Sequence, residues 1–151
     1  MSDSKMVAMV KAGEGKVLRA YGDEVRIHLC GRETCGRVTM FTTTTQPGGG
    51  PPPHRHDRED EWFLVVEGLV SYLVDGKWTD GCGPGTSVFA PRGSVHAFKN
   101  VGDGPSKQLI TVSPSGFEDF FAKSAEEFSR AGGPRMERIL EIGREFGIHF
   151  E

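Results

Sequence analysis

Three of the five histidines in this 151-residue chain, His54, His56 and His96, together with one carboxylate, Glu61, have the types and spacing that metal chemistry needs. If His54-Arg55-His56 is extended, alternate side chains share a face, so both imidazoles point one way while Arg55 points the other. Pro51 to Pro53 favour extended backbone and stiffen the approach to that segment, and Gly48 to Gly50 supply the turn before it. Glu61 lies past a polar link, Asp57 to Asp60, that reads as a hairpin connection returning its carboxylate to the two rings. His96 follows a turn at Pro91-Arg92-Gly93, on a segment where His96 and Phe98 face one way and Val95 and Ala97 the other. Imidazoles with a carboxylate form the ligand set of a non-haem divalent metal site with open positions. A histidine taken singly is more often an ordinary hydrogen-bonded residue than a ligand. The joint spacing of these four residues raises them above that expectation. His28 and His149 lack such company: His28 is expected on the solvent side of its strand and His149 in a tail.

The elements that must position these groups are short and β-like. The 21 glycines and nine prolines cluster between runs of strand-forming residues rather than spreading evenly. Those runs are Glu24 to Cys30, Arg37 to Thr45, Glu61 to Glu67, Leu69 to Val74, Lys77 to Thr79, Thr86 to Ala90, Val95 to Lys99 and Lys107 to Val112. Asp75-Gly76 between two of them has the composition of a tight primed hairpin turn. That many short strands in one small domain suggest a closed barrel or a double-sheet jelly roll. Past residue 113 the period changes. Phe117, Phe120, Phe121 and Phe128 recur at near-helical spacing behind Ser115 and Glu118, which match a capping box. Met136, Ile139, Leu140 and Phe146 repeat the pattern behind Pro134, with Gly147 as a stop. Two short C-terminal helices, within about residues 115–146, are therefore expected on the outside of an all-β barrel, the whole of 1–151 forming one domain.

Composition narrows the partners. A charged fraction of 26%, a hydrophobic fraction of 36% and a formal charge of −3 describe a soluble globular chain without the basic surplus that phosphate neutralisation needs, so no nucleic acid is expected. No apolar run approaches the length of a membrane span or a secretory signal, and a cytoplasmic location is the expectation. Cys30, Cys35 and Cys82 are odd in number, with four residues rather than two between the first pair, and are read as unpaired thiols; a Cys30–Cys35 disulfide is the minor option.

At this point the sequence resembles the cupin superfamily. Gly48, five residues, His54-x-His56, four residues, Glu61, six residues and Gly68 match the first cupin motif at each defined position. Gly85, five residues, Pro91-x-Gly93, two residues, His96, three residues and Asn100 match the second, and 16 residues separate Gly68 from Gly85. The resemblance covers about residues 36–113. It implies a jelly-roll barrel holding one divalent transition metal per chain on His54, His56, Glu61 and His96. Iron, manganese or nickel are favoured, with zinc, cobalt or copper compatible with the same donors. A looser likeness, in the Pro-rich approach and the C-terminal tail, is to single-domain proteins described as quercetin dioxygenase-like.

Strand alternation puts Phe63 and Val65 on the face of Glu61, with Phe98 beside His96 and Met40 as a weaker candidate of the same kind. These are the expected walls of a pocket for a small aromatic or phenolic substrate, although each alone is equally an ordinary core residue. The expected function is that of a metal-dependent dioxygenase, with Glu61 able to leave the metal and act as general base. The alternatives are a metal-dependent isomerase or lyase on a small carbonyl or sugar substrate, and a non-catalytic small-molecule binding protein. Trp62, Leu64 and Val66 occupy the other face of the Glu61 strand. A strand apolar on both sides needs cover on both, which leads to the expectation of a homodimer.

Overall fold

Period-two burial runs the length of two adjacent strands: in β3 (Thr39–Thr45) and β10 (Ser106–Ser113) every second side chain is buried and those between are half-buried. Such a pattern commits one face of a sheet to a core. The computed structural model describes residues 6–151, and in it these two strands form the middle of a six-stranded antiparallel sheet. The others are β1 (Val17–Ala20), β2 (Asp23–Leu29), β5 (Asp60–Glu67) and β8 (Ser87–Ala90), in the order β1-β2-β3-β10-β5-β8. Two smaller sheets complete the strands. One pairs β4 (His54–His56) with β11 (Ile148–Phe150), and the other orders β7 (Lys77–Trp78), β6 (Val70–Val74) and β9 (Ala97–Asn100) as β7-β6-β9. A short α1 (Gly31–Thr34) and the helices α2 (Phe117–Phe128) and α3 (Met136–Glu145) make up the rest. The expected mostly-β architecture with two C-terminal helices is present, and among the described residues no helix is long and apolar enough to cross a membrane.

The Asp75-Gly76 hairpin forms between β6 and β7, both residues adopting the positive φ that a primed turn requires. Cys30 and Cys35 bracket α1 and, like Cys82, are free thiols. The turn at residues 48–50 lies against β9, with Gly48 N–H donating to Asn100 O at 2.9 Å and Asn100 N–H to Gly49 O at 2.9 Å. A Cβ on Gly50, at φ 147°, would stand 2.0 Å from Phe98 O, so the close approach of the two segments needs glycine there. The Asn100 side chain locks the same junction: its Nδ2 donates to Thr45 O at 2.8 Å and Gly104 O at 2.9 Å, and its Oδ1 accepts from Gly102 N–H at 2.9 Å.

Four features depart from the expectations above. The link after His56 is not a hairpin: β4 pairs with β11, while β5 pairs with β10 and β8, so residues 57–59 carry the chain from one sheet to another. The C-terminal segment is not a tail but the strand β11, with Ile148 opposite His56 and Phe150 opposite His54. Nor does α2 merely pack on the outside. Phe117, Phe120 and Phe121 are all buried and join the barrel's own core of Val25, Phe41, Val65 and Ile110, because a stripe of three phenylalanines gains more from filling the barrel mouth than from lying on its wall. Ser115 does not cap α2. The Glu118 carboxylate reaches back instead, accepting from Gly116 N–H at 2.7 Å, Gly31 N–H at 2.7 Å and Thr39 Oγ1 at 2.6 Å, and so pins the start of the helix to β3 and α1.

The far end of α2 is held by Glu127, a buried carboxylate 2.6 Å from Arg135 Nη2 just ahead of α3. The hydrogen bonds from Arg135 hold the Glu127 carboxyl well below the usual range, at about 2. A carboxylate with a depressed pKa contributes stability that is present above its unfolded value and is lost as pH falls toward the folded one. Glu127→Gln is therefore expected to lower the thermal midpoint at pH 7 by a few degrees, and the gap from wild type to close as pH falls from about 4.5 toward about 2. Calorimetry across that range checks it; a gap independent of pH would mean that the charge is not what holds α2.

Candidate metal centre

His54 and His56 project from the same face of β4, both buried, while Arg55 between them is half-buried and reaches Glu151 at 2.6 Å. His96 sits directly across from His54: His54 N–H donates to His96 O at 3.0 Å and His96 N–H to His54 O at 2.9 Å, an isolated bridge between β4 and the residue directly ahead of β9. The three imidazoles each present a ring nitrogen within 4.8 Å of the other two. Glu61 arrives from β5 in the opposing sheet. Its Oε2 lies 3.4 Å from His56 Nε2 and its Oε1 3.9 Å from His96 Nε2. The structure thus brings the three imidazoles together, with the Glu61 carboxylate beside two of them.

Hydrogen bonds to the backbone orient two of the rings. His54 Nδ1 is 2.9 Å from Pro52 O and His96 Nδ1 is 3.1 Å from Ser94 O. A carbonyl oxygen only accepts, so each Nδ1 carries the proton and each Nε2 presents its lone pair to the interior. Behind His56 stands Glu59, buried, with Oε2 3.4 Å from His56 Nδ1, a contact longer than a well-formed hydrogen bond. Residues of the polar link were not candidates in the sequence, yet Glu59 is the carboxylate that stands behind the His56 ring, where a partner to a metal-binding imidazole would be placed. No periodicity marks it, because it lies in a link between sheets. Phenylalanines pack against each ring: Phe117 stacks on His56 at 5.2 Å, Phe63 meets His96 edge-on at 5.8 Å, and Phe150 lies 6.1 Å from His54.

Such surroundings set the charge states. Burial, then the charges of His96 and His56, push His54 down to about 3, and burial drives His96 down to about 4, so both rings are neutral and able to ligate. Burial also acts downward on His56, but the Glu61 and Glu59 carboxylates outweigh it and raise the ring above its ordinary value. Glu61 is pushed up to about 7, chiefly by burial and against the pull of His56. His56 Nε2, His96 Nε2 and Glu61 Oε2 are buried without hydrogen-bond partners. Buried polar atoms are rarely left so, and a cation among them would satisfy all three at once. The donor set fits a divalent transition metal.

Three members of the cluster, His54, His56 and Glu61, line one wall of a cavity of about 60 Å³. Its apolar walls are Phe41, Phe98 and Ile110 from the strands and Phe117, Phe120 and Phe121 from α2; Tyr21, Asp23 and Thr43 add polar groups. Among the candidate pocket residues, Phe98 lines this cavity. Phe63 and Val65 are buried in the core beside it, and Met40 is half-buried on the outward side of β3. Trp62, Leu64 and Val66 are exposed on the other face of β5, uncovered by either helix. His28 lies outside the cluster, bonded to Thr42 Oγ1 at 2.5 Å, and His149 bonds Asp57 at 2.6 Å.

Residues 41–112 match the cupin domain family. That stretch of the chain is a cupin domain. Solved structures agree on the jelly-roll fold. KdgF from a Halomonas species is similar at 18% identity over 74% of this cupin and 97% of that chain, with a TM-score of 0.64. The polyketide cyclase RemF from Streptomyces resistomycificus matches at 25% identity over 73% of this chain and 81% of its own, with a TM-score of 0.60. An RmlC-like cupin from Shewanella frigidimarina matches at 20% identity, covering 74% and 94%, with a TM-score of 0.62. Among curated proteins none is significantly similar to this cupin.

The position of Glu59 behind His56 gives a test that does not touch a ligand. Glu59→Gln is expected to weaken divalent metal binding by about 10- to 100-fold while leaving one equivalent per chain at saturation. Competition against a chromophoric chelator measures the affinity, and an unchanged affinity would remove Glu59 from the site.

Proposed function

We propose that this cupin is a metal-dependent oxygenase of a small planar substrate of the phenol class, with His54, His56, Glu61 and His96 as the ligands of one iron, manganese or nickel ion. The observation that carries the reading is the arrangement of unpartnered imidazole and carboxylate atoms along one wall of a phenylalanine-lined cavity. An ion held there would supply Lewis acidity and a binding point for substrate oxygen. The chain's own residues do the rest. The Pro52 and Ser94 carbonyls fix the ring tautomers, Phe98 and Phe117 accept a flat apolar body, and the α2 phenylalanines keep bulk water from the reacting atoms. Glu61 either completes the ligand set or, when displaced, takes the proton of a substrate hydroxyl; its buried environment suits a carboxyl that must exchange a proton near neutrality.

A second reading is redox-neutral: polarisation of a carbonyl for ring closure or elimination. Its support is the 25% identity to a polyketide cyclase. Metal analysis of wild type and His96→Ala, followed by O2 uptake with a panel of phenols, separates the possibilities. One equivalent of metal in wild type, lost in the variant, with substrate-dependent O2 consumption, is the expected result. Substrate turnover without O2 consumption favours the redox-neutral reading, tight binding without turnover favours a binding protein, and no metal after reconstitution overturns the ligand assignment.

The outer face of the six-stranded sheet supports a further proposal, a homodimer. Trp62 on β5 is 42% exposed and stacks at 5.1 Å on Phe89 of β8, which is 53% exposed; Leu64 and Val66 extend the same patch. Contiguous exposed aromatics of this kind are costly in a monomer. Sedimentation is expected to give twice the chain mass of 16.5 kDa for wild type and a shift to monomer for Trp62→Glu with Phe89→Glu. A wild-type mass near that of one chain at all concentrations would overturn the dimer.

A further inference from the structure

The metal-facing wall is only one end of the cavity. Asp23, the first residue of β2, lines the same space, is 9% exposed, and has an Oδ1 without a hydrogen-bond partner. It lies on the inward face with Val25 and Ile27, and the register places it opposite Thr45, itself opposite Ser106. Thr43, one step along the same face of β3, also lines the cavity with an unpartnered Oγ1. Buried polar neighbours stand close by in Thr43, Thr45 and Ser106 and phenylalanines line much of the cavity, yet none of them donates to this carboxylate oxygen. Burying such a group without a partner costs free energy, and it is kept where something else supplies the missing donor. Asp23 also borders a surface pocket of about 570 Å³ lined by Arg19, Gln46 and Phe128, so it stands between the cavity and the outside.

We propose that Asp23 is a substrate-binding residue, its free carboxylate oxygen accepting a hydrogen bond from a hydroxyl or amine at the end of the substrate remote from the metal ligands, with Thr43 beside it. The inference rests on the metal-centre reading above and narrows its substrate class. The molecule that fits is planar and apolar in the middle, with a metal-binding oxygen at one end and a donor hydrogen at the other. Burial pushes the Asp23 carboxyl up to about 6, against the pull of the neighbouring Thr45 hydroxyl, so near neutral pH the group is an acceptor. A purely structural Asp23 would affect folding but would not distinguish ligands by their far end.

The experiment loads wild type, Asp23→Asn and Asp23→Ala with cobalt(II) and titrates each with benzohydroxamate and its 3- and 4-hydroxy derivatives, read from the cobalt visible spectrum. The expected result is that wild type binds at least one hydroxy derivative about 10-fold more tightly than benzohydroxamate, the worth of one hydrogen bond to a charged acceptor. That preference is lost in Asp23→Ala and reduced in Asp23→Asn, while cobalt stoichiometry and benzohydroxamate affinity stay within about 2-fold, less than the loss of one such bond would cause. Asp23→Asn, nearly identical in shape, carries the test alone if the alanine variant does not fold. A preference that survives the substitutions, or its absence in a cobalt-loaded wild type that binds benzohydroxamate, overturns the role of Asp23 and leaves the metal centre standing. Failure of wild type to take up cobalt overturns the metal centre and this proposal with it.

Discussion

A single pair of backbone hydrogen bonds, between His54 and His96, fixes the geometry on which the site depends. His54 lies in β4 and His96 directly ahead of β9, and the bridge between them is an isolated one. With their backbones paired and each Nδ1 engaged by a carbonyl two residues earlier in the chain, the rings have little freedom left. His56 follows from His54 by strand alternation alone. Glu61 is the one member brought from the larger sheet, so the distance between the sheets sets where its carboxylate meets the imidazoles.

Electrostatics and packing pull in opposite directions around that arrangement. The phenylalanines that shield the cluster make it costly to keep any charge inside, which is why His54 and His96 are held neutral while Glu61 is hard to ionise. The same shielding strengthens every interaction that a bound cation would make. A structure stabilised only by apolar contacts would have replaced these groups. Their retention in the driest part of the barrel, with lone pairs unspent, marks the place where stability is given up for binding.

The four residues of the candidate centre could be picked out in the sequence because alternation along a strand and the turn signals at Pro51 to Pro53 and Pro91 to Gly93 are local properties. So were the Asp75-Gly76 hairpin and the change of period at Phe117. What escaped depends on contacts distant in sequence. Glu59 lies in a link whose path between sheets no pattern announces, and Asp23 opens a strand whose neighbour across the cavity is a helix nearly a hundred positions later. The phenylalanines of α2 showed their helical spacing but not that their stripe turns into the barrel, since a period says which residues share a face and not what that face meets. The segment after Gly147 is too short to read as a strand until β4 is there to pair with it.

That last pairing bears on the order in which the protein is made. Among the described residues the one full ladder partner of β4 is the strand formed by residues 148–150, with Glu151 N–H closing on Pro53 O at 2.8 Å. Since chains emerge from the ribosome from the N-terminus onward, His54 and His56 wait through the synthesis of about a hundred residues before their strand is clamped. The candidate centre is therefore completed only once residues 148–150 have been made, and an ion that needs every one of these ligands in place would be held only from then on.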